Sequence, residues 1–357
     1  METATLNDAA ATWRWYQQVD HARRLQGLMM DALGLGPRQA ASRVVLRMSG
    51  VRLMAYLDAV DGGPPILLVP APIKRAYIWD LAPGASVVEQ CLSRRGRPYL
   101  LQWQEPEPDF GLEDYAERLL LASVDAVRAE TGEERVFLAG HSLGGLLAAI
   151  FASLYPERVR GLIVVAAPLH FDFQKTTGAL GPVIADLLRL GLLQAAPRNL
   201  PGSFLSLASF MASPSTFGRD RLVDWLQGLP DAAAVMTHLR VERWSLDELP
   251  LAHRFVADVA QRLYRDDAFL RGTLKCETRI ASAHNVVAPL LIVADARCAV
   301  VPPPAILPFE QAAGTTDKRL LWYEGDIGVS IQHVGVLVGR NAQERLWPEI
   351  LRWVHAH

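Results

Sequence analysis

Six residues in the 357-residue chain carry the clearest chemical signal: Gly140-His141-Ser142-Leu143-Gly144-Gly145. The pattern G-x-S-x-G sets a hydroxyl nucleophile in a turn so tight that side chains at its flanks would collide with neighbouring backbone. The serine itself is expected in a strained conformation that lifts its Oγ clear of the chain. A serine so placed can attack an acyl carbon. The N–H of Leu143, opening the helix that follows, is expected to meet the oxyanion formed in that attack. The second oxyanion donor is sought in Pro70-Ala71-Pro72-Ile73-Lys74. Proline has no N–H, so the donor is Ala71 or Ile73, with Ile73 preferred.

A serine hydroxyl is a poor nucleophile without a base. Of the nine histidines, His333 in Gln332-His333-Val334-Gly335 alone falls in the loop after the last strand-like segment; His355 and His357 lie in the tail. His333 is the expected base. His141 is expected to shape the elbow, and His170, ending a strand, to make a structural hydrogen bond.

The elbow needs a strand leading in and a helix leading out. Val136-Phe137-Leu138-Ala139 and Leu146-Leu147-Ala148-Ala149 supply them. Around them the chain alternates. Residues 43–57 suit an antiparallel hairpin; 66–69, 99–103 and 162–166 read as buried strands; 80–95, 112–131 and 141–155 read as helices. Strands resume at 290–294 and 319–323, and 342–354 closes the chain as a helix. Strands alternating with helices make a mostly parallel sheet with helices on both faces. Together with the elbow, this predicts the α/β-hydrolase fold. Residues 41–172 and 286–357 form its core. Residues 173–285, which show helical segments and Pro/Gly breaks but no convincing strand, form an inserted helical cap. Residues 1–40 read as an amphipathic helical segment, with Trp13, Tyr16, Leu25 and Met29 at helical spacing.

Half of the residues are hydrophobic, and 36 Lys and Arg nearly balance 38 Asp and Glu. A nucleic-acid binder would normally carry a basic excess, so none is expected as a partner. The three scattered cysteines, Cys91, Cys276 and Cys298, offer neither a disulfide framework nor metal-ligand spacing. They suit a reducing, cytoplasmic setting. No metal or cofactor is expected. Met1-Glu2-Thr3-Ala4 lacks the basic n-region and apolar h-region of a secretory signal, and no apolar run is long enough to span a bilayer.

Beyond the elbow, several segments recur in order from about residue 43 to 354: Arg75-Ala76-Tyr77-Ile78-Trp79-Asp80-Leu81, Leu101-Gln102-Trp103, Ala167-Pro168-Leu169-His170-Phe171-Asp172, Leu200-Pro201-Gly202, Glu242-Arg243-Trp244-Ser245-Leu246-Asp247 and His333-Val334-Gly335-Val336. In these the chain resembles the catalytic subunit of a class III polyhydroxyalkanoate synthase. The resemblance implies a Cys-His-Asp triad acting on (R)-3-hydroxyacyl-coenzyme A, a second subunit or a homodimer, and association with polyester granules. Two departures stand out. Serine, at Ser142, occupies the place of the family's nucleophilic cysteine. Counting back from Pro302-Pro303, the place of the family's acid is Cys298.

The acid is therefore sought at Asp295, at the end of the 290–294 strand. Asp172, after the 162–166 strand, Asp326, in the histidine loop, and a serine–histidine pair without an acid are the alternatives. The serine shifts the expected reaction from polymerisation toward hydrolysis of hydroxyacyl esters, thioesters or polyester, because a thiolate suits repeated acyl exchange and an oxygen ester is readily resolved by water. A polymer-building acyltransferase and a non-catalytic granule- or partner-binding protein are the competing expectations.

Overall fold

The computed structural model describes residues 2–171 and 199–357. Its centre is an eight-stranded sheet. The strands are β1 (Ser42–Met48), β2 (Val51–Tyr56), β3 (Pro65–Val69), β4 (Arg97–Trp103), β5 (Val136–His141), β6 (Val159–Val165), β7 (Leu290–Asp295) and β8 (Lys318–Tyr323). They lie in the order β1-β2-β4-β3-β5-β6-β7-β8. Only β2 runs against its neighbours; every pairing from β4 to β8 is parallel.

Arg160 of β6 apart, the four central strands β3, β5, β6 and β7 are buried at every position. This is why they read as unbroken apolar runs rather than alternating ones. Alternate residues feed two separate cores. Leu67, Leu138, Leu162 and Ile292 pack on one face, and Leu68, Phe137, Ile163 and Val293 on the other. Helix α4 (Leu143–Leu154) lies against β5 and β6 with all twelve residues buried, which its run of Leu, Ala and Gly permits.

Helices α1 (Glu2–Ala32), α2 (Val87–Ser93) and α3 (Leu119–Thr131) precede α4. The helix expected over 80–95 is only α2. Asp80 is buried, and its carboxylate accepts the Ser86 hydroxyl (2.7 Å) and the Ala40 N–H (2.8 Å), which holds 80–86 as two short strand pieces instead.

Between β6 and β7 the described residues hold α5 (Gly202–Ala212), α6 (Asp220–Gly228), α7 (Ala232–Ser245) and α8 (His253–Asp258). Two short antiparallel pairs also occur there, Asn199–Leu200 with Leu251–Ala252 and Leu274–Cys276 with Arg279–Ala281. Strands of two or three residues are too short to leave a period in the sequence. The chain closes with α9 (Gln332–Val338) and α10 (Trp347–Ala356). No described helix is long and apolar enough to cross a membrane.

Helix α1 is bound to the residues between β6 and β7 by charge as much as by apolar packing. Asp20 accepts the N–H groups of Gly202 and Ser203 at the start of α5. Asp31 pairs with Arg243, and Arg23 with Glu248. Trp13 and Tyr16 close on Phe204 at ring distances of 5.1 and 5.3 Å. Leu25 and Met29, which the helical spacing had grouped with those aromatics, are exposed instead. Trp13 and Tyr16 follow the apolar period, but the charged part of the contact does not, so apolar periodicity could not identify the whole face.

Candidate active site

Among the described residues, the groups that could do chemistry sit at the C-terminal ends of parallel strands, where open α/β sheets place their ligand crevices. Ser142 follows β5, residues 70–74 follow β3, Cys298 follows β7 and His333 opens α9 after β8.

Ser142 has φ 55° and ψ −132°, a conformation that costs a non-glycine residue of order 1–3 kcal/mol. Its N–H bonds Val165 O at 3.0 Å, so the adjacent strand holds the strained residue in place. The glycines of the turn are dictated by space. A Cβ on Gly144 would lie 2.2 Å from Val69 O, and one on Gly140 2.5 Å from the Cα of Gly145. In both cases the obstacle is backbone, which cannot swing aside. Gly144→Ala is therefore expected to destabilise the protein by about 3 kcal/mol or more, read as the shift in a denaturant midpoint. A variant with unchanged midpoint would contradict this packing.

Leu143 is the first residue of α4, so its N–H has no intrahelical acceptor and points out of the helix start. Ile73 and Ala71 both line the crevice. The loop carrying them is pinned at two points. Trp103 donates its indole N–H to Pro70 O (2.7 Å), and Ile73 O accepts the N–H of Leu249 (3.0 Å). Lys74 anchors the end of the loop through Ser245 O (2.6 Å) and Glu248 (3.2 Å). Burial pushes the Lys74 ammonium below its ordinary range, and Glu248 opposes that shift.

The crevice is a cavity of about 350 Å³. Ser142, Leu143, His141 and His333 line one part of it, and Leu207, Phe210, Phe217, Phe255 and Tyr264 give it an apolar wall. The residues between β6 and β7 thus do supply aromatic side chains to the serine's cavity, as expected of an acyl pocket.

His333 is 9% exposed. Its Nδ1 lies 3.4 Å from the sulfur of Cys298, and its Nε2 has no hydrogen-bond partner among the described residues. Its carbonyl accepts from the His141 ring at 2.8 Å, and the two imidazoles lie 4.6 Å apart, tilted by 38°. The resulting contact supports the expectation that His141 shapes the site. Burial pushes His141 down to about 4. Burial, and then the neighbouring His141, push His333 well below the ordinary imidazole range. Both rings are neutral at pH 7, so His333 has a lone pair to accept a proton.

Neither Asp295 nor Asp326 is hydrogen-bonded to His333. Asp295 ends β7 and is buried, with Oδ1 on the Arg297 N–H (2.8 Å) and Oδ2 without a partner. Burial raises its carboxyl above the usual range, against the Arg297 N–H. Asp326 is engaged by the Tyr323 hydroxyl and by the N–H groups of Asn341 (2.9 Å) and Ala342 (3.4 Å). Asp172 lies outside the described residues. His170 makes the structural bond expected of it, to Asp267 at 2.7 Å.

A buried network that sequence reasoning missed grips the loop ahead of His333. Asp224 of α6 accepts the N–H groups of Gly328 (2.9 Å) and Ser330 (2.7 Å) and bonds His238 of α7 (2.8 Å). Glu242 receives the Ser330 hydroxyl and pairs with Arg221. Five ordinary polar residues spread over 220–330 leave no motif that could announce this.

Known proteins bear on this site. The α/β-hydrolase-fold family model matches residues 91–219. The poly(3-hydroxyalkanoate) polymerase subunit PhaC of Synechocystis sp. is 27% identical over 341 residues, covering 92% of this chain and 88% of that protein. That of Allochromatium vinosum is 24% identical over 355 residues, 95% of this chain and 96% of that one. That of Haloferax mediterranei is 28% identical over 319 residues; the match takes in 87% of this chain but only 63% of that longer protein. Among solved structures, a carboxylesterase of Bacillus subtilis superposes with a TM-score of 0.55 at 14% identity, over 95% of this chain and 99% of that one. A monoacylglycerol lipase of Paleococcus ferrophilus gives 0.51 at 16%, over 83% and 97%. These two share the fold. The chain is an enzyme of the α/β-hydrolase superfamily and resembles polyhydroxyalkanoate polymerase subunits along most of its length.

Proposed function

We propose that this α/β-hydrolase-fold enzyme hydrolyses hydroxyacyl esters or thioesters, including polyester oligomers, through an acyl-Ser142 intermediate. The observation that carries the reading is Ser142, held at φ 55° on its elbow at the wall of an apolar cavity that His333 also lines. Ser142 Oγ attacks the acyl carbon while His333 Nε2 takes its proton. The N–H groups of Leu143 and Ile73 receive the oxyanion, and His333 then gives the proton to the departing alcohol or thiol. Water repeats the sequence on the acyl-serine and releases the hydroxy acid. The hydroxyacyl substrate class rests on the resemblance to the polymerases. Hydrolysis is favoured over chain growth because Ser142 forms an oxygen ester, a poorer acyl donor for onward transfer than a thioester.

The same relatives favour a second reading, transfer of the acyl group to a growing polyester. Incubation with (R)-3-hydroxybutyryl-coenzyme A separates the two. The proposal predicts coenzyme A released together with soluble hydroxy acid. Insoluble polymer would support the second reading, and no turnover of this thioester or of any acyl ester would contradict both. On the primary reading the enzyme works in the cytoplasm at polyester granules, as a homodimer or with a second subunit. Co-sedimentation with granules tests that placement, and an enzyme left wholly in the soluble fraction would contradict it.

A further inference from the structure

We propose that the sulfur of Cys298 is the partner of His333 in place of a carboxylate, and that the protonation state of this sulfur decides whether His333 can act as a base. The inference rests on the serine reading above and adds a positioning residue to it.

The geometry is specific. Cys298 is 3% exposed in the turn after β7, and its sulfur lies 3.4 Å from His333 Nδ1. The Val301 N–H donates to the same sulfur at 3.4 Å. Asp326 spends its carboxylate on Tyr323, Asn341 and Ala342, and Asp295 gives Oδ1 to the Arg297 N–H and keeps Oδ2 buried without a partner, so neither is hydrogen-bonded to His333. Nε2 of His333 is buried and without a partner, which leaves it for the serine proton.

An imidazole can accept that proton only if its own proton is on Nδ1. A thiol enforces this weakly. It can accept from Nδ1–H, or donate S–H to Nδ1 and send the ring proton to Nε2, where it blocks the base. Val301 already occupies part of the accepting side of the sulfur, which favours the blocked arrangement. A thiolate can only accept. It holds the ring proton on Nδ1 and faces the imidazolium with a negative charge, as a carboxylate would. The proton count is simple: Ser142 Oγ–H passes to Nε2, the Nδ1 proton stays, and the sulfur gains and loses nothing during attack.

The groups around the sulfur set its proton affinity. Burial pushes the Cys298 thiol up to about 11, with the Val301 and Val300 N–H groups opposing and Asp295 of β7 adding to the rise. The other charged or titratable groups nearby are His333 of α9, His141 at the end of β5 whose ring lies tilted against it, and Arg297, the residue before Cys298. At pH 7 the sulfur is a thiol and the base is poorly oriented.

The test measures the rate of Ser142 labelling by a fluorophosphonate, and of nitrophenyl-ester hydrolysis, from pH 6 to 10 in the full chain. Wild type is compared with Cys298→Ala and Cys298→Asp, each checked for folding by a thermal melt. The wild-type rate is expected to climb above pH 8 by up to about tenfold per unit as thiolate forms. Cys298→Ala should lose that climb. Cys298→Asp should exceed wild type at pH 7 by about 10- to 1,000-fold, with a flat profile above neutrality. If Cys298→Ala keeps the wild-type rate and profile, or a folded Cys298→Asp is no faster, the sulfur has no such role. Should the Asp variant not fold, the comparison of wild type with Ala decides. Ser142 left unlabelled in every variant would instead overturn the serine reading, and this inference with it.

Discussion

Ser142→Ala is expected to lower kcat by about four to six orders of magnitude with little change in KM or in the thermal midpoint. The size follows from the covalent path. Without Oγ no acyl-enzyme forms, and the residual rate is what the oxyanion donors and the cavity achieve with water alone. KM should hold because the acyl wall of Phe255, Tyr264 and Leu207 is untouched. Alanine at φ 55° keeps the same backbone strain as serine, so the fold loses only one half-buried hydroxyl. His333→Ala should fall comparably, and the double variant no further than the worse single one, since nucleophile and base act as a unit. Steady-state kinetics on a nitrophenyl ester read all three. A Ser142→Ala enzyme within tenfold of wild type would remove the serine from the mechanism.

Asp224→Ala is expected to cost about 3–5 kcal/mol of stability and to lower kcat at least tenfold in whatever fraction remains folded. One carboxylate here satisfies two backbone N–H groups, of Gly328 and Ser330, and one ring nitrogen of His238. Its loss leaves all three buried without a partner. The loop they belong to runs into His333 three residues later, so slack in it becomes error in the position of the base. Burial alone would raise the Asp224 carboxyl, but the hydrogen bonds from His238, Ser330 and Gly328 outweigh it and hold it below the usual range. Its stabilising contribution is therefore complete above the unfolded value of about pH 4 and is lost as pH falls through the lower folded value. Denaturant melts at pH 7 and pH 3 check both statements. Equal stability of Asp224→Ala and wild type at pH 7 would contradict them.

The strands and the elbow were legible because burial leaves a local trace. Runs such as Leu290–Asp295 and Val136–His141 are apolar on both faces, and the glycines of the turn are required by backbone a few ångströms away. His333 was legible by position in the chain order. The partner of His333 was not, because three candidate aspartates lie within reach in sequence, and nothing local to Asp295 or Asp326 tells where its carboxylate turns. Asp295 turns to the Arg297 N–H and Asp326 caps the turn at Asn341, while the sulfur of Cys298 meets the ring. The seat of α1 was hidden for another reason. It docks through Asp20, Arg23 and Asp31, and ion pairs leave no hydrophobic period.

The central claim is that the acyl group passes through Ser142. Wild-type enzyme mixed with a slowly turned-over hydroxyacyl ester, quenched in acid within the first turnovers and digested, should yield one peptide carrying the added acyl mass. That peptide should contain Gly140-His141-Ser142, with fragmentation placing the mass on Ser142. Turnover with the acyl mass on a cysteine peptide, or with none on the elbow peptide at any quench time, would contradict the account.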